Sequence, residues 1–203
     1  MRIRLLSVLC LLSVSALAAD QKMSCSLAIT PLRGESHISG NNGIRSLNGS
    51  SSTSMGNTSK TITRNLKWKA EVRFRDKRPE KTELKVYYIG YSADNKLKQI
   101  GQESKTVELD KNGRASVELT SPTTKLTKTR TSSTSSSGGR SSGFVSMKKR
   151  QSGERVMGCV IQVFADGTLS ESYASDSRWA VAAEKTPFSL AEITARSGKI
   201  GLR

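Results

Sequence analysis

From residue 62 the chain alternates. Ile62, Leu66, Trp68, Ala70, Val72 and Phe74 fill six of the seven even positions up to 74, with Arg64 the exception. Every odd position from Thr63 to Arg75 is polar. Successive side chains of a strand point to opposite faces, so this period of two predicts one half-buried strand over 62–74. Asp76-Lys77-Arg78-Pro79-Glu80 supplies the turn that ends it. Residues 84–91 follow with Val86, Tyr87, Tyr88 and Ile89, β-branched and aromatic, and predict a second strand. Residues 23–30 place Met23, Cys25, Leu27 and Ile29 on one face. Residues 155–165 are apolar on both faces, the pattern of a central strand.

Two turns set registers. At Asp110-Lys111-Asn112-Gly113 a two-residue loop would mix the faces of its strands. A three-residue loop, 111–113, puts Leu109 opposite Ala115 and Val107 opposite Val117 and keeps one face apolar. At Asp166-Gly167 a two-residue turn puts Phe164 opposite Leu169 and Val160 opposite Tyr173. Ser175-Asp176 then caps a short predicted helix over 177–185. Two segments, 34–59 and 127–143, are rich in Gly, Ser, Asn and Thr. They hold too little apolar surface to offset their ordering entropy and read as mobile loops. The sum is a single all-β domain over 19–203: an antiparallel β-sandwich, immunoglobulin-like or fibronectin-like, with a jelly roll as the alternative.

Residues 1–18 read as a secretory leader. Arg2 and Arg4 precede an uncharged, mostly apolar run over 5–17, and Ala16-Leu17-Ala18 fits a cleavage site. The expectation is an exported protein, periplasmic or extracellular, without a membrane span in the mature chain. Cleavage leaves Cys25 and Cys159. Two cysteines in an exported chain suggest a disulfide that closes a loop of about 130 residues and adds ~4 kcal/mol if unstrained.

Charge changes the picture most. The 203 residues carry 33 Lys and Arg against 17 Asp and Glu, net +16, or +14 once Arg2 and Arg4 leave with the leader. Lys67, Lys69, Arg73 and Arg75 line the polar face of the 62–74 strand; the second Ser/Gly-rich segment and its approach add Lys125, Lys128, Arg130 and Arg140, and Lys148, Lys149 and Arg150 follow it. Such a surface can hold an extended polyanion through many salt-sensitive contacts. Charged strand faces also serve simply to keep edges from aggregating.

Catalytic chemistry finds little support. His37 is the one histidine and lies in the first Ser/Gly-rich segment, so a Ser/His or zinc site lacks its parts. Among Glu71, Glu83, Glu108, Glu118, Asp166 and Glu171 no pair stands out by spacing for glycoside hydrolysis. Neither a cofactor nor a metal is expected. Tyr87, Tyr91 and Trp179 would offer sugar-stacking surfaces if exposed.

The order of these features carries a resemblance. It runs from Thr61-Ile62-Thr63-Arg64-Asn65-Leu66-Lys67-Trp68 through Leu84-Lys85-Val86-Tyr87-Tyr88-Ile89-Gly90 to Gly158-Cys159-Val160-Ile161-Gln162-Val163-Phe164-Ala165-Asp166-Gly167. Over residues 58–176 the chain resembles a group of uncharacterised secreted β-sandwich proteins of Verrucomicrobia-type bacteria. The resemblance implies export and a sandwich, and transfers no activity or site residue.

The reading is therefore a secreted, non-catalytic interaction module. Its basic face would engage an anionic glycan, a polysaccharide or lipid head groups. Export argues against nucleic acid as the physiological partner. The alternatives are an assembly subunit that pairs by a strand edge with another envelope protein, and a carbohydrate-binding or carbohydrate-active protein.

Overall fold

The computed structural model describes residues 23–46, 54–75, 77–135 and 144–193; the leader expected over 1–18 lies outside them. Ten strands follow in chain order: β1 (Cys25–Leu32), β2 (Ser36–Ser46), β3 (Ser54–Arg64), β4 (Lys67–Phe74), β5 (Thr82–Ser92), β6 (Leu97–Val107), β7 (Arg114–Thr120), β8 (Thr124–Ser135), β9 (Phe144–Ala165) and β10 (Thr168–Ala174). The protein is an all-β sandwich of antiparallel strands. A three-stranded sheet, β1-β4-β7, lies against a layer in which β10, β9, β5 and β6 are neighbours. Trp68, Ala70, Val72 and Phe74 of β4 meet Leu84, Val86 and Tyr88 of β5 and Cys159, Ile161 and Val163 of β9 in one buried core. The even positions of the 62–74 alternation that fall in β4 all point into it.

That alternation is not one strand. It breaks at Asn65-Leu66, where polar side chains take over from the ladder. Buried Asn65 accepts at Oδ1 from the Glu35 amide (2.7 Å) and donates its own amide to the Glu35 carbonyl (3.0 Å). The Leu66 amide donates to Ser121 Oγ (2.9 Å), and Thr124 Oγ1 donates to the Arg64 carbonyl (3.1 Å) while accepting from the Val156 amide (3.2 Å). The three strands of the small sheet kink together here and continue. β2, β3 and β8 repeat the order of β1, β4 and β7 beyond the kink.

The result is an arm. β2, β3 and β8 run 11, 11 and 12 residues, and the first part of β9 pairs along β8 as a fourth strand. The segments expected to be mobile loops are thus largely strands; residues 47–53 and 136–143 lie outside the described residues. Apart from the outward groups of the edge strand β2, their backbone polar groups are satisfied by the ladder, and Thr suits an extended backbone. Beyond the base of the arm, where Thr124 and Leu126 are buried, the described side chains of both faces are open or half-open, so apolar residues would have little to pack against.

β9 joins arm to body as one 22-residue strand. Residues up to Gly153 pair with β8, and those from Glu154 pair with β5. At Gly153 φ is +94° and a Cβ would stand 2.1 Å from the Lys125 carbonyl oxygen, so only glycine fits the crossing.

The turns differ from expectation in what they join. The 111–113 loop forms as predicted, closed by the Gly113 amide on the Asp110 carbonyl (3.0 Å), with Gly113 at φ +69°. Its strands then diverge into different sheets. Val107 sits opposite Thr82 and Val117 opposite Ala70, so the Val107–Val117 pairing does not form. At Asp166-Gly167 Leu169 does oppose Phe164, but a register shift after Leu169 sets Tyr173 opposite Ile161 and not Val160. The predicted helix is a 3₁₀ turn, Ser177–Trp179, followed by α1 (Ala180–Ala183), capped by Asp176. It docks on the outer face of β9 and β5 through Trp179, Ala182 and Ala183, with Ile193, against Ile89 and Val160. Buried Gln162 donates to the Ala183 (2.7 Å) and Lys185 (2.8 Å) carbonyls and ties the segment down.

The expected disulfide is not formed: Cys25 and Cys159 are free thiols. Both face the core, from opposite sheets. Cys25 is half-buried at the first position of β1, opposite Phe74, whereas Cys159 is fully buried within β9, opposite Tyr88. They occupy different stations along the sandwich. Burial pushes the thiols up, to about 11 for Cys25 and about 12 for Cys159.

Candidate functional site

The two groups of predicted basic residues are not brought together. Lys67, Lys69 and Arg73 project from the outer face of β4, with Arg75 just past its end. That face is mixed in sign. Lys67 Nζ lies 3.2 Å from Glu35 and Lys69 Nζ 2.7 Å from Glu71, and Glu118 of β7 stands directly opposite Lys69. The hydrogen bond to Glu71 raises Lys69 above its usual range and holds the Glu71 carboxyl below its own. A carboxyl held down in this way is the opposite of a general acid. Elsewhere in the body Lys98 pairs with Glu154, Lys105 with Glu103 and Lys185 with Glu192.

Lys148, Lys149 and Arg150 stand on the arm, and the arm is different. Residues 36–64 and 124–153 contain ten Lys and Arg and no Asp or Glu. These segments supply ten of the sixteen net charges. Among the described residues no arm cation forms an ion pair.

Register assigns each residue to a face. On one face Lys60 lies opposite Lys128, and Arg130 opposite Lys149 two residues further on. With strands about 4.8 Å apart and same-face residues about 6.7 Å apart along a strand, four cations crowd one small area. Ile38, Ile62 and Leu126 form a row beside them, and Met147 lies beyond. The opposite face is hydroxylic. Thr61 contacts Thr127 oxygen to oxygen at 3.1 Å, Ser59 faces Thr129, and Lys125, Lys148 and Arg150 are spread among them. Lys149 therefore points away from its two neighbours in the sequence. Lys60, Lys128 and Arg130 complete the cluster, and a signal for two of them was present: Thr127-Lys128-Thr129-Arg130-Thr131 alternates with period two.

Other candidates are occupied otherwise. His37 lies in β2, on a groove of about 470 Å³ at the kink shared with Arg33, Glu35, Thr63 and Asn65. A second groove, about 850 Å³, crosses the outer face of the three-stranded sheet beside Glu71, Glu108 and Asp110. Asp110 Oδ1 accepts from the Asn112 and Arg114 amides, a turn role. Of the aromatics, Trp179 is buried and Tyr87 packs on Phe188 with ring centres 4.5 Å apart. Tyr91 is half-buried at the end of β5. Among the described residues no cluster of three or more His, Cys, Asp or Glu could hold a metal ion. No helix among them is long and apolar enough to cross a membrane.

No family model matches the chain, and no curated protein or solved structure matches it either.

Proposed function

We propose that the protein is an exported, non-catalytic interaction module that engages an anionic partner through its arm. One observation carries this reading: the arm concentrates cations without a single acid, while the body balances its cations with neighbouring carboxylates. A surface of unpaired cations attracts a dense polyanion over many contacts and loses it as salt screens them. The basic face first expected on β4 is the weaker candidate, because Glu35, Glu71 and Glu118 neutralise it.

The test is retention on a sulfated polysaccharide across a salt gradient, beside a sulfonate resin of equal charge density. The K128S/R130S/K148S/K149S/R150S variant should elute at about half the salt concentration of the wild type. The K67S/K69S/R73S/R75S variant should shift far less. Equal shifts, or retention no better than on the resin, would remove the arm from the reading.

A second reading has its own support. The outer edge of β2 is free among the described residues and carries one formal charge, Arg45, whereas the opposite edge bears Lys148-Lys149-Arg150, a pattern that blocks edge pairing. Strand addition at β2 would make the protein an assembly subunit. Self-association that persists in high salt would favour it.

A further inference from the structure

The two faces of the arm are unequal in a way that net charge does not express. The face with Lys60, Lys128, Arg130 and Lys149 also exposes Ile38 (57%) and Met147 (52%), two of the four most exposed large apolar side chains described. The row Ile38–Ile62–Leu126 grades from open at the β2 edge to buried at β8. Bands run along the arm in order: an apolar row, two cationic rows, then Met147. The other face offers Ser39, Ser59, Thr61, Thr127, Thr129 and Ser152 in the corresponding positions.

A hydrated polysaccharide gives exposed Ile and Met little that water does not. A lipid surface answers both groups at once: phosphates meet the Lys and Arg heads, and the acyl boundary takes the apolar side chains. Resting on the anionic-partner reading above, we propose that this cationic and apolar face is a docking surface for an anionic lipid layer, with the hydroxylic face turned to water. The arm lies flat on the head groups, and the sandwich stands off the surface at its base. Paired cationic rows supply attraction; Ile38 and Met147 supply the part that salt does not screen.

Sedimentation with vesicles of phosphatidylcholine, with and without phosphatidylglycerol, tests this. Wild type should bind the anionic vesicles and not the neutral ones. The K60S/K128S/R130S/K149S variant should bind at least about tenfold more weakly. I38S/M147S should lose about threefold or more at low salt, and nearly all the binding that remains at 0.5 M salt. K125S/K148S/R150S, on the other face, should lose least. The substituted positions with described exposure are open or half-open, so the variants should keep their unfolding midpoints, which is checked by urea titration. Equal losses from both faces, with I38S/M147S unchanged, would overturn the lipid face and leave the charge reading standing. Binding to sulfated polysaccharide with none to anionic vesicles would overturn it in favour of a glycan. Binding to neither would end both.

Discussion

Cys25 and Cys159 show what one residue contributes when its partner is out of register. Cys25, half-buried at the edge of the core, and Cys159, fully buried within it, hold their protons up to about 11 and about 12, against 9.0 for an ordinary thiol. Between pH 9 and 12 the folded state therefore binds more protons than the unfolded chain. Stability is full below 9 and falls as pH rises through the folded values. Tyr88, buried and hydrogen-bonded to the Glu103 carboxylate, is pushed up as well and acts in the same sense. Urea midpoints under reducing conditions should fall from pH 8 to 11, and C25S/C159A should show a shallower fall. Parallel pH profiles for the two proteins would mean that the thiols do not sense the core. At this scale the sequence was half legible. Alternation placed Cys25 inward, but 155–165 is apolar on both faces, so nothing ranked the side of Cys159. That the two stand at different stations along the sandwich depends on pairings far apart in the sequence, Cys25 with Phe74 and Cys159 with Tyr88.

The strands divide into those read from burial and those read poorly without it. β1, β4, β5 and the body part of β9 each bury a face, so apolar periodicity found them within a few residues. Few of the arm's described side chains are buried, Thr124 and Leu126 at its base among them. Its strands exist by hydrogen-bond pairing, and composition said loop where the ladder says sheet. The break at Asn65 was equally hidden, because a polar residue at an odd position fits an unbroken alternation. The element that ties arm to body is β9, and its hinge point is Gly153. Gly153→Ala would force a Cβ to within 2.1 Å of the Lys125 carbonyl at a φ of +94°. It should destabilise the protein by about 2 kcal/mol or more, read as a lower urea midpoint. Exposed Ser152→Ala, next to it, should stay within about 0.5 kcal/mol. A harmless Gly153→Ala would show that β9 does not need this crossing.

Across the whole molecule the excess charge was plain from composition, and its location was not. The alternating Lys and Arg of β4 suggested a basic face, but the acids that neutralise it arrive from the β1–β2 turn, from β4 itself and from β7. The uncompensated share lies in the arm, where like charges crowd. Their repulsion reaches about 30 Å at 10 mM salt and under 10 Å at 0.3 M. The melting temperature should therefore rise by a few degrees over that range, and K60S/K128S/R130S/K149S should rise less. Equal rises would place the strain elsewhere. The long β9 has another effect, one of timing. Synthesis runs from the N-terminus, so β1, β4 and β7 are complete once residue 120 has emerged. Their inner face is apolar, and the strand at the centre of its cover, residues 154–165 of β9, comes more than thirty residues later. At that point the nascent chain has only β5 and β6 of the facing layer to set against this sheet, and the β5–β9 pairings that complete the layer, distant in sequence, form slowly. Closure of the sandwich waits for nearly the whole chain, and until then its first sheet depends on whatever keeps nascent apolar surfaces apart.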